Sequence, residues 1–283
     1  MPLKDKQQSK PPGAEAVPAQ DAFSLISNQK LLQLYANMLK CRLLDERIRV
    51  ERDRLPTSGD ANRDFQFPPR GREAALVGVL NDLLPDDTLA APPLDLISRF
   101  VIGVPLVDVF RLLRQGFATS QKDPTRNDAA SGTGANPANE NKRISVLVSG
   151  GGDAEQSAWA EALRLASLHR LPTIFVSWKP RKTPTVDFPI MTVDACDVVA
   201  VYRVSSESIA HARQGFGPTF VECQQWKGPD ATSHPLMNME NYLNRKGLFT
   251  KGMKAEIIAG FRAELDAAVV ESLGPLLRTP RKR

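Results

Sequence analysis

The stretch ISVLVSGGGDAEQSAWAEALRLASLHRLPTIFVSW, residues 144–178, decides the fold. Residues 144–148 are β-branched and aliphatic, as in a buried strand, and a serine and three glycines follow them. Apolar residues then recur at helical spacing over 155–168, and Pro172 precedes a second buried strand at 173–176. This order predicts a βαβ unit, and therefore an α/β fold of three layers, a parallel sheet with helices on both faces.

The glycine turn, Gly150–Gly152, is the first candidate site. Ligands of such folds bind at the carboxyl ends of the parallel strands, and a helix N-terminus there favours a phosphate. The same glycines can equally serve only to reverse the chain tightly, because glycine runs are common in turns. Three glycines alone do not decide between these two interpretations.

The composition is typical of a soluble globular protein. A chain of 283 residues that is 42% hydrophobic can bury a sizeable core as one large domain. The formal net charge is +5, and the basic tail 278–283 supplies four of those charges, so no basic face for nucleic acid is predicted. No apolar run approaches the roughly 20 residues that span a bilayer. Three widely spaced cysteines indicate reduced core thiols and a cytoplasmic protein.

The chain divides into three predicted parts. Residues 1–26 are polar and contain several prolines, so we expect a disordered tail that is no signal peptide. Residues 27–277 form a single α/β domain, and residues 278–283 form the basic tail. Within the domain, residues 118–142 carry almost nothing to bury, which predicts a flexible polar loop.

The remaining elements follow from capping signals, prolines and apolar spacing. Ser27 is predicted to cap a long first helix, and Pro105 suits the first turn of another. The other predicted elements are helices over 73–84, 197–214 and 255–273, and strands over 190–193 and 219–225. The rest of the segment between 225 and 255 is predicted to be a loop.

Four blocks of the sequence carry a family resemblance when they are taken in order. They are LLQLYANMLKCRLLDERI, GREAALVGVLNDLLPDDTLA, EALRLASLHRLPTIFV and VDACDVVAVYRVSSESIAHARQGFGPTFVECQQWKGP. They resemble the alpha subunit of the thiamine-diphosphate-dependent 2-oxoacid dehydrogenases, the family of the pyruvate and branched-chain enzymes. The resemblance spans about 31–273, without a central segment that the polar loop replaces. It implies the thiamine-diphosphate-binding fold and a beta subunit as partner.

The magnesium-binding positions that the resemblance implies do not carry the family's residues. In the family, an Asp in a Gly-Asp-Gly turn and an Asn after the next strand hold the diphosphate through magnesium, which needs hard oxygen ligands. Gly151 falls on the Asp position, and Lys179 and Pro180 fall on a pair of asparagines. Asp153 could supply a carboxylate only if the turn shifts by two residues, and the Lys179 ammonium would still repel a divalent cation.

Two further functional stretches of the family also differ here. Its Tyr-Arg-Glu-His stretch, which contacts the diphosphate and supplies a catalytic histidine, falls in order on Pro93, Leu94, Asp95 and Leu96. Its second active-site histidine falls near Asp230, and His234 is close but out of register.

These differences predict a catalytically degenerate alpha-like subunit, a pseudoenzyme of an oxidoreductase family that needs no cofactor. Its role would lie in assembly with itself or with a beta-like subunit. One alternative is an active thiamine-diphosphate-dependent oxidoreductase that decarboxylates a 2-oxoacid, with magnesium ligands from shifted positions such as Asp153 or from a partner chain. A second is a metal-free phosphate- or anion-binding protein that uses Gly150–Gly152, the helix N-terminus and Lys179. No nucleic-acid or membrane partner is predicted.

The missing central segment also predicts an exposed surface. Apolar side chains of Pro92–Ile102, and those near Val148 and Val176 at the strand ends, would lack their usual cover. Exposed apolar area of this kind marks a partner site. The alternative is that the surrounding helices close in and bury these side chains.

Overall fold

The computed structural model describes residues 26–54, 71–90, 95–118, 143–149, 153–178, 185–224 and 234–273. The strands are β1 (Thr88–Ala90), β2 (Ser145–Ser149), β3 (Thr173–Trp178), β4 (Ile190–Asp194) and β5 (Thr219–Gln224). The helices are α1 (Asn28–Arg54), α2 (Glu73–Leu80), α3 (Leu96–Val101), α4 (Leu106–Ala118), α5 (Asp153–His169), α6 (Val198–Arg213), α7 (Pro235–Arg245) and α8 (Lys251–Leu273). The predicted N-terminal tail up to residue 25, the polar loop from residue 119 and the basic C-terminal tail lie outside the described residues.

The five described strands form one sheet in which every neighbouring pair is parallel, in the order β1-β2-β3-β5-β4. The predicted βαβ unit places β2 beside β3, with Val146 opposite Ile174. The prediction of a parallel sheet is therefore confirmed. No helix within the described ranges is long and apolar enough to cross a membrane.

The sheet separates two apolar cores because successive side chains of a strand point to opposite faces. On β2, Val146 and Val148 join the larger core, while Leu147 joins a smaller core with Phe175 and Phe220. Helix α5 covers the smaller core, and residues of the other seven described helices contribute to the larger one. Helices thus lie on both faces of the sheet, which confirms the three-layer prediction.

Several local predictions were wrong in detail. The helix predicted over 73–84 ends at Leu80, and the chain then forms β1, whose three residues are too few to show an alternating pattern. Pro85 accounts only for the absence of a helix at residue 84, because the residue before a proline disfavours the helical conformation. Helices α3 and α7 were not predicted, and α7 occupies part of the segment assigned to a loop.

The prediction of an exposed apolar surface was also wrong. Leu96 and Ile97 are 2% and 6% exposed, because α3 packs its first turn into the larger core. Val148 and Val176 are likewise buried, and Ile102 at the end of this stretch is exposed. Residues 91–94 lie outside the described part of the chain. The surrounding helices therefore close over these side chains, as the alternative interpretation held.

Helices α2 and α6 approach each other closely at Gly78. A Cβ atom added there would lie 2.7 Å from Val201 Cγ1, 2.8 Å from Val201 Cβ and 3.0 Å from the backbone nitrogen of Tyr202. The Tyr202 hydroxyl donates to Asp82 Oδ2 at 2.5 Å, just beyond the end of α2, and Lys30 of α1 pairs with Asp82 at 3.0 Å. Glycine is therefore required at this position by the distance between the two helices.

We predict that Gly78→Ala destabilises the protein. The added methyl group meets a Val201 Cβ and a backbone nitrogen, which no side-chain rotation can move, and such overpacking costs about 1–3 kcal/mol. Gly260→Ala is the matched control, since a Cβ on that α8 glycine meets nothing within 4 Å. It should instead stabilise the helix by up to about 1 kcal/mol. Urea unfolding of both variants measures the difference, and equal effects would contradict the close contact.

A buried carboxylate, Asp87, joins three segments at the amino edge of the sheet. Its side chain accepts the backbone N–H groups of Leu84 at 2.7 Å and Ile144 at 3.0 Å. Both terminal nitrogens of Arg213, at the end of α6, donate to the same carboxylate at 3.2 and 2.6 Å. The Asp87 side chain is 1% exposed, so the carboxylate itself is shielded from water. They fix where β1 starts relative to β2.

We predict that Asp87→Asn lowers the free energy of unfolding by about 3 kcal/mol. The amide cannot accept all four hydrogen bonds, and it leaves the Arg213 guanidinium without a counter-charge in a largely buried position. Asp86→Asn is the control, because Asp86 is 66% exposed and only approaches Arg143 at 3.6 Å. That change should stay within about 0.5 kcal/mol. Denaturant unfolding measures both variants. A similar decrease in the free energy of unfolding for the two would show that the Asp87 hydrogen bonds do not stabilise the sheet edge.

Candidate functional site

The candidate site predicted from the sequence lies at the carboxyl edge of the sheet, after β2 and β3. Ser149 and Ser177 are partners in neighbouring parallel strands, so the chain leaves both strands at adjacent points of one edge. Gly150–Gly152 joins β2 to α5, and Lys179 directly follows β3, but both lie outside the described residues. Asp153 is the first residue of α5. The described strand ends therefore bring the two predicted segments to one edge.

A half-buried cation lies at the same edge and was not predicted. Arg72, the residue before α2, places its guanidinium 5.8 Å from the centre of the Trp178 ring, at the end of β3. Trp178 is itself paired with Cys223 of β5. Burial lowers the pKa of Arg72, and the nearby Asp95 carboxylate partly offsets that effect. Among the described residues, Arg72 has no ion-pair partner within bonding distance.

The start of α3 supplies a buried carboxylate beside this cation. Asp95 caps the helix, since one of its oxygens accepts the Ser98 N–H at 3.1 Å and the other accepts the Ser98 hydroxyl at 2.6 Å. Burial raises the pKa of Asp95, although both hydrogen bonds from Ser98 oppose that shift. The next residue, Leu96, is part of the larger apolar core. Both residues are thus used to build the start of α3.

An ion pair lies behind Arg72, at the beginning of α2. The Nε of Arg42, on α1, donates to Oε1 of the buried Glu73, and its Nη1 lies 3.4 Å from His234 Nε2. Burial on its own would lower the pKa of Arg42, but the Glu73 carboxylate holds it above its usual value. The other oxygen of Glu73 is buried and has no hydrogen-bond partner within the described part of the chain. His234 caps α7, where its Nδ1 accepts the Met237 N–H at 3.4 Å.

Two cysteines lie close to these charges, and neither is prepared for nucleophilic chemistry. Cys41 and Cys223 are each 1% exposed. Burial raises the pKa of both thiols; the neighbouring carboxylates raise that of Cys41 further, whereas Arg72 partly lowers that of Cys223. A protonated thiol is a poor nucleophile. All three cysteines are buried and none of them forms a disulfide bond, which agrees with the predicted reduced core thiols.

The described part of this edge offers cationic groups to a ligand and few free oxygen donors. Within the described ranges, no three His, Cys, Asp or Glu side chains lie close enough to hold a metal ion. Arg72 and Glu73 stand in the GREA segment of the second resembling block, and this was the signal that could have placed them at the site. The sequence alone does not show that Arg72 belongs to the site, because the fold is needed to bring Trp178 against it.

Comparisons with known proteins agree with the architecture. The model of the family described as "Dehydrogenase E1 component" matches residues 180–228. The alpha subunit of the pyruvate dehydrogenase E1 component of Staphylococcus epidermidis is 23% identical over 305 residues, which covers 89% of this chain and 80% of that protein. The corresponding subunit of Staphylococcus aureus is 23% identical over 304 residues, with the same coverage.

The chain therefore resembles the alpha subunits of 2-oxoacid dehydrogenases over most of its length, as its ordered sequence blocks predicted. The parallel sheet with its surrounding helices is consistent with the fold of that family. The first alignment runs over 305 positions, more than the 283 residues of this chain. The relative thus carries residues inside the matched region that have no counterpart here.

Proposed function

We propose that this chain is a catalytically degenerate, alpha-like subunit whose role is assembly, with itself or with a beta-like dehydrogenase subunit. The scaffold resembles that of the alpha subunits, and the positions that would hold the cofactor carry other chemistry. In thiamine-dependent enzymes the cofactor supplies the carbanion chemistry, and the protein binds and orients it. A chain that cannot hold the cofactor keeps the fold without the activity.

The main support for this proposal is the structural role of Asp95 and Leu96 at the start of α3. The resemblance places the family's glutamate and catalytic histidine on these two residues. Asp95 is instead bonded to Ser98 as a helix cap, and Leu96 is 2% exposed in the larger core. A buried leucine can neither transfer a proton nor contact a diphosphate. These two positions now contribute to the stability of α3.

The charges at the carboxyl edge support the same conclusion. Magnesium needs oxygen ligands, and the resemblance places Gly151 and Lys179 at two of its ligand positions. Arg72 adds a further cation close to the Trp178 ring, and Trp178 directly precedes Lys179 in the sequence. Two cations beside a divalent ion raise the cost of binding it, because like charges repel most strongly where water is excluded. We therefore expect no bound magnesium diphosphate.

A metal-free anion site is a second candidate function, and Arg72 is the observation that favours it. An arginine without an ion-pair partner among the described residues can bind a phosphate or carboxylate through two nitrogens. Asp95 is close enough to influence the pKa of Arg72, so it lowers the affinity of this edge for an anion. The active-enzyme alternative would need Asp153, or a partner chain, to supply the magnesium ligands.

We predict that the full chain, coexpressed with a beta-type dehydrogenase subunit from the same source, forms a stable complex or a homo-oligomer. It should not reduce an artificial electron acceptor when a 2-oxoacid, thiamine diphosphate and magnesium are added. Size-exclusion chromatography with light scattering measures the mass, and acceptor bleaching measures the activity. The matched activity control is the complex of the same beta subunit with an alpha subunit that has the family's ligands.

Two results would contradict the proposal. Turnover of a 2-oxoacid above that of the beta subunit alone would establish the active-enzyme alternative, and Asp153→Ala would then test the shifted ligand. A chain that remains monomeric and ignores the beta subunit would remove the assembly role and leave the anion site.

A further inference from the structure

The described sheet has two outer strands, and one of them has much the longer open side. β1 has three residues, and its Thr88 donates its N–H to Ile144 beside it, so by alternation only Leu89 turns its backbone groups outward. β4, at the other side of the sheet, has five residues and pairs with β5 along its whole length. The outer side of β4, the β4 edge, is therefore where a further strand has most to bind.

The backbone groups of β4 alternate between β5 and the outer side. The carbonyl of Pro189 and the N–H of Ala195 both bond to β5, so odd-numbered residues face that strand. The residues that face outward are Ile190, Thr192 and Asp194. Apart from the pairing with β5, their only backbone hydrogen bond within the described part of the chain joins the Asp194 carbonyl to the Asp197 N–H. Thr192, in the middle of the strand, is exposed.

β4 lacks the features that usually protect an exposed edge from another strand. Natural sheets blunt such edges with lysine, proline, a bulge or a very short strand. The strand reads IMTVD, without lysine or proline, and its register with β5 is continuous. Its single charge stands at its last residue. An open edge of this kind is a template for pairing with a further strand.

β4 is complementary to a second copy of itself. A two-fold axis perpendicular to the sheet, passing beside Thr192, sets two β4 strands antiparallel and keeps the helices of both copies on their own faces. Thr192 then lies opposite Thr192 of the other copy as a hydrogen-bonded pair, and Ile190 lies opposite Asp194. Each outward N–H meets an outward carbonyl. The Asp194 carbonyl, although bonded to Asp197, has a second lone pair for this purpose.

The side chains of β4 agree with this pairing. Thr192 is uncharged at the one position where a residue meets its own copy, and threonine pairs are favourable across antiparallel strands. The only charge, Asp194, meets Ile190 instead of itself, so the two carboxylates stay apart. On the other face, Met191 is only half-buried in a single copy. The pairing places it against Val193 of the second copy, a residue of the larger core.

We propose that two copies of this chain join at the β4 edge, so that their sheets form one continuous sheet across a two-fold axis at Thr192. The inference rests on the assembly role proposed above. It names the surface for one arm of that role, assembly of the chain with itself.

The test places a charge on the two-fold axis and is made on the full chain. Thr192→Lys and Thr192→Glu each bring two like charges together in the dimer, on Cα atoms about 5.5 Å apart. Each should raise the dissociation constant about fivefold or more, the equivalent of about 1 kcal/mol. An equimolar mixture of the two variants has opposite charges on the axis, and it should form a heterodimer about as tight as the dimer of the unmodified chain. Sedimentation equilibrium gives the dissociation constants.

The matched control is Thr88→Lys, the same substitution at an exposed threonine of β1, at the opposite side of the sheet. It should leave the dissociation constant unchanged. Thermal unfolding of every variant separates a lost dimer from a lost fold. The Thr192 hydroxyl donates to Glu222 at 3.0 Å, so Thr192→Glu brings a carboxylate towards Glu222. If that variant does not fold, Thr192→Pro replaces it, because proline removes the outward N–H and leaves the pairing with β5 intact.

Several outcomes would overturn the proposed interface. An unmodified chain that stays monomeric up to its solubility limit excludes it. A dimer that is indifferent to Thr192→Lys uses another face, and two folded charge variants that fail to form a heterodimer have no axis at Thr192. A monomer whose complex with a beta-type subunit is weakened by Thr192→Lys assigns the β4 edge to that subunit. Failure of the assembly role itself is distinct, because the chain would then form neither a dimer nor that complex.

Discussion

The carboxylate of Asp87 is the point on which the arrangement of the sheet depends. It binds the chain before β1, the chain entering β2 and the last turn of α6, in a position closed to water. β1 has only three residues, so its own ladder is too short to set its position against β2. With the amino edge fixed in this way, the length of each strand determines where its carboxyl end emerges. The candidate site is assembled from those ends.

The same scaffold holds a site whose polar groups are largely committed to one another. Glu73 is bonded to Arg42, and Asp95 is bonded to Ser98. Arg72 is the exception, because its guanidinium lies against the Trp178 ring without a counter-ion at bonding distance among the described residues. The buried Glu73 oxygen that has no hydrogen-bond partner among the residues described belongs to the same region. An edge with this pattern offers a ligand mainly positive charge.

The three layers of the fold could be predicted from the sequence, but not every helix and strand could. The β2–α5–β3 unit could be predicted because its strands are continuous apolar runs and its helix carries a clear apolar stripe. β1 could not, since three residues show no period, and Pro85 with two aspartates resembles the end of a helix. The burial of Leu96 could not be predicted either, because it depends on α3, a six-residue helix set by one capping carboxylate. Arg72 lies in the second of the four resembling sequence blocks, but only the fold brings it to Trp178.

The central claim is that the scaffold has lost its cofactor site, and a calorimetric titration of the purified chain with thiamine diphosphate tests it most directly. The titration is run with magnesium and again with a chelator, so that a metal-dependent component can be separated. The account predicts no saturable binding of thiamine diphosphate in either case, because Gly151 and Lys179 stand where the resemblance places magnesium ligands. Saturable binding of micromolar affinity that disappears with the chelator would contradict it.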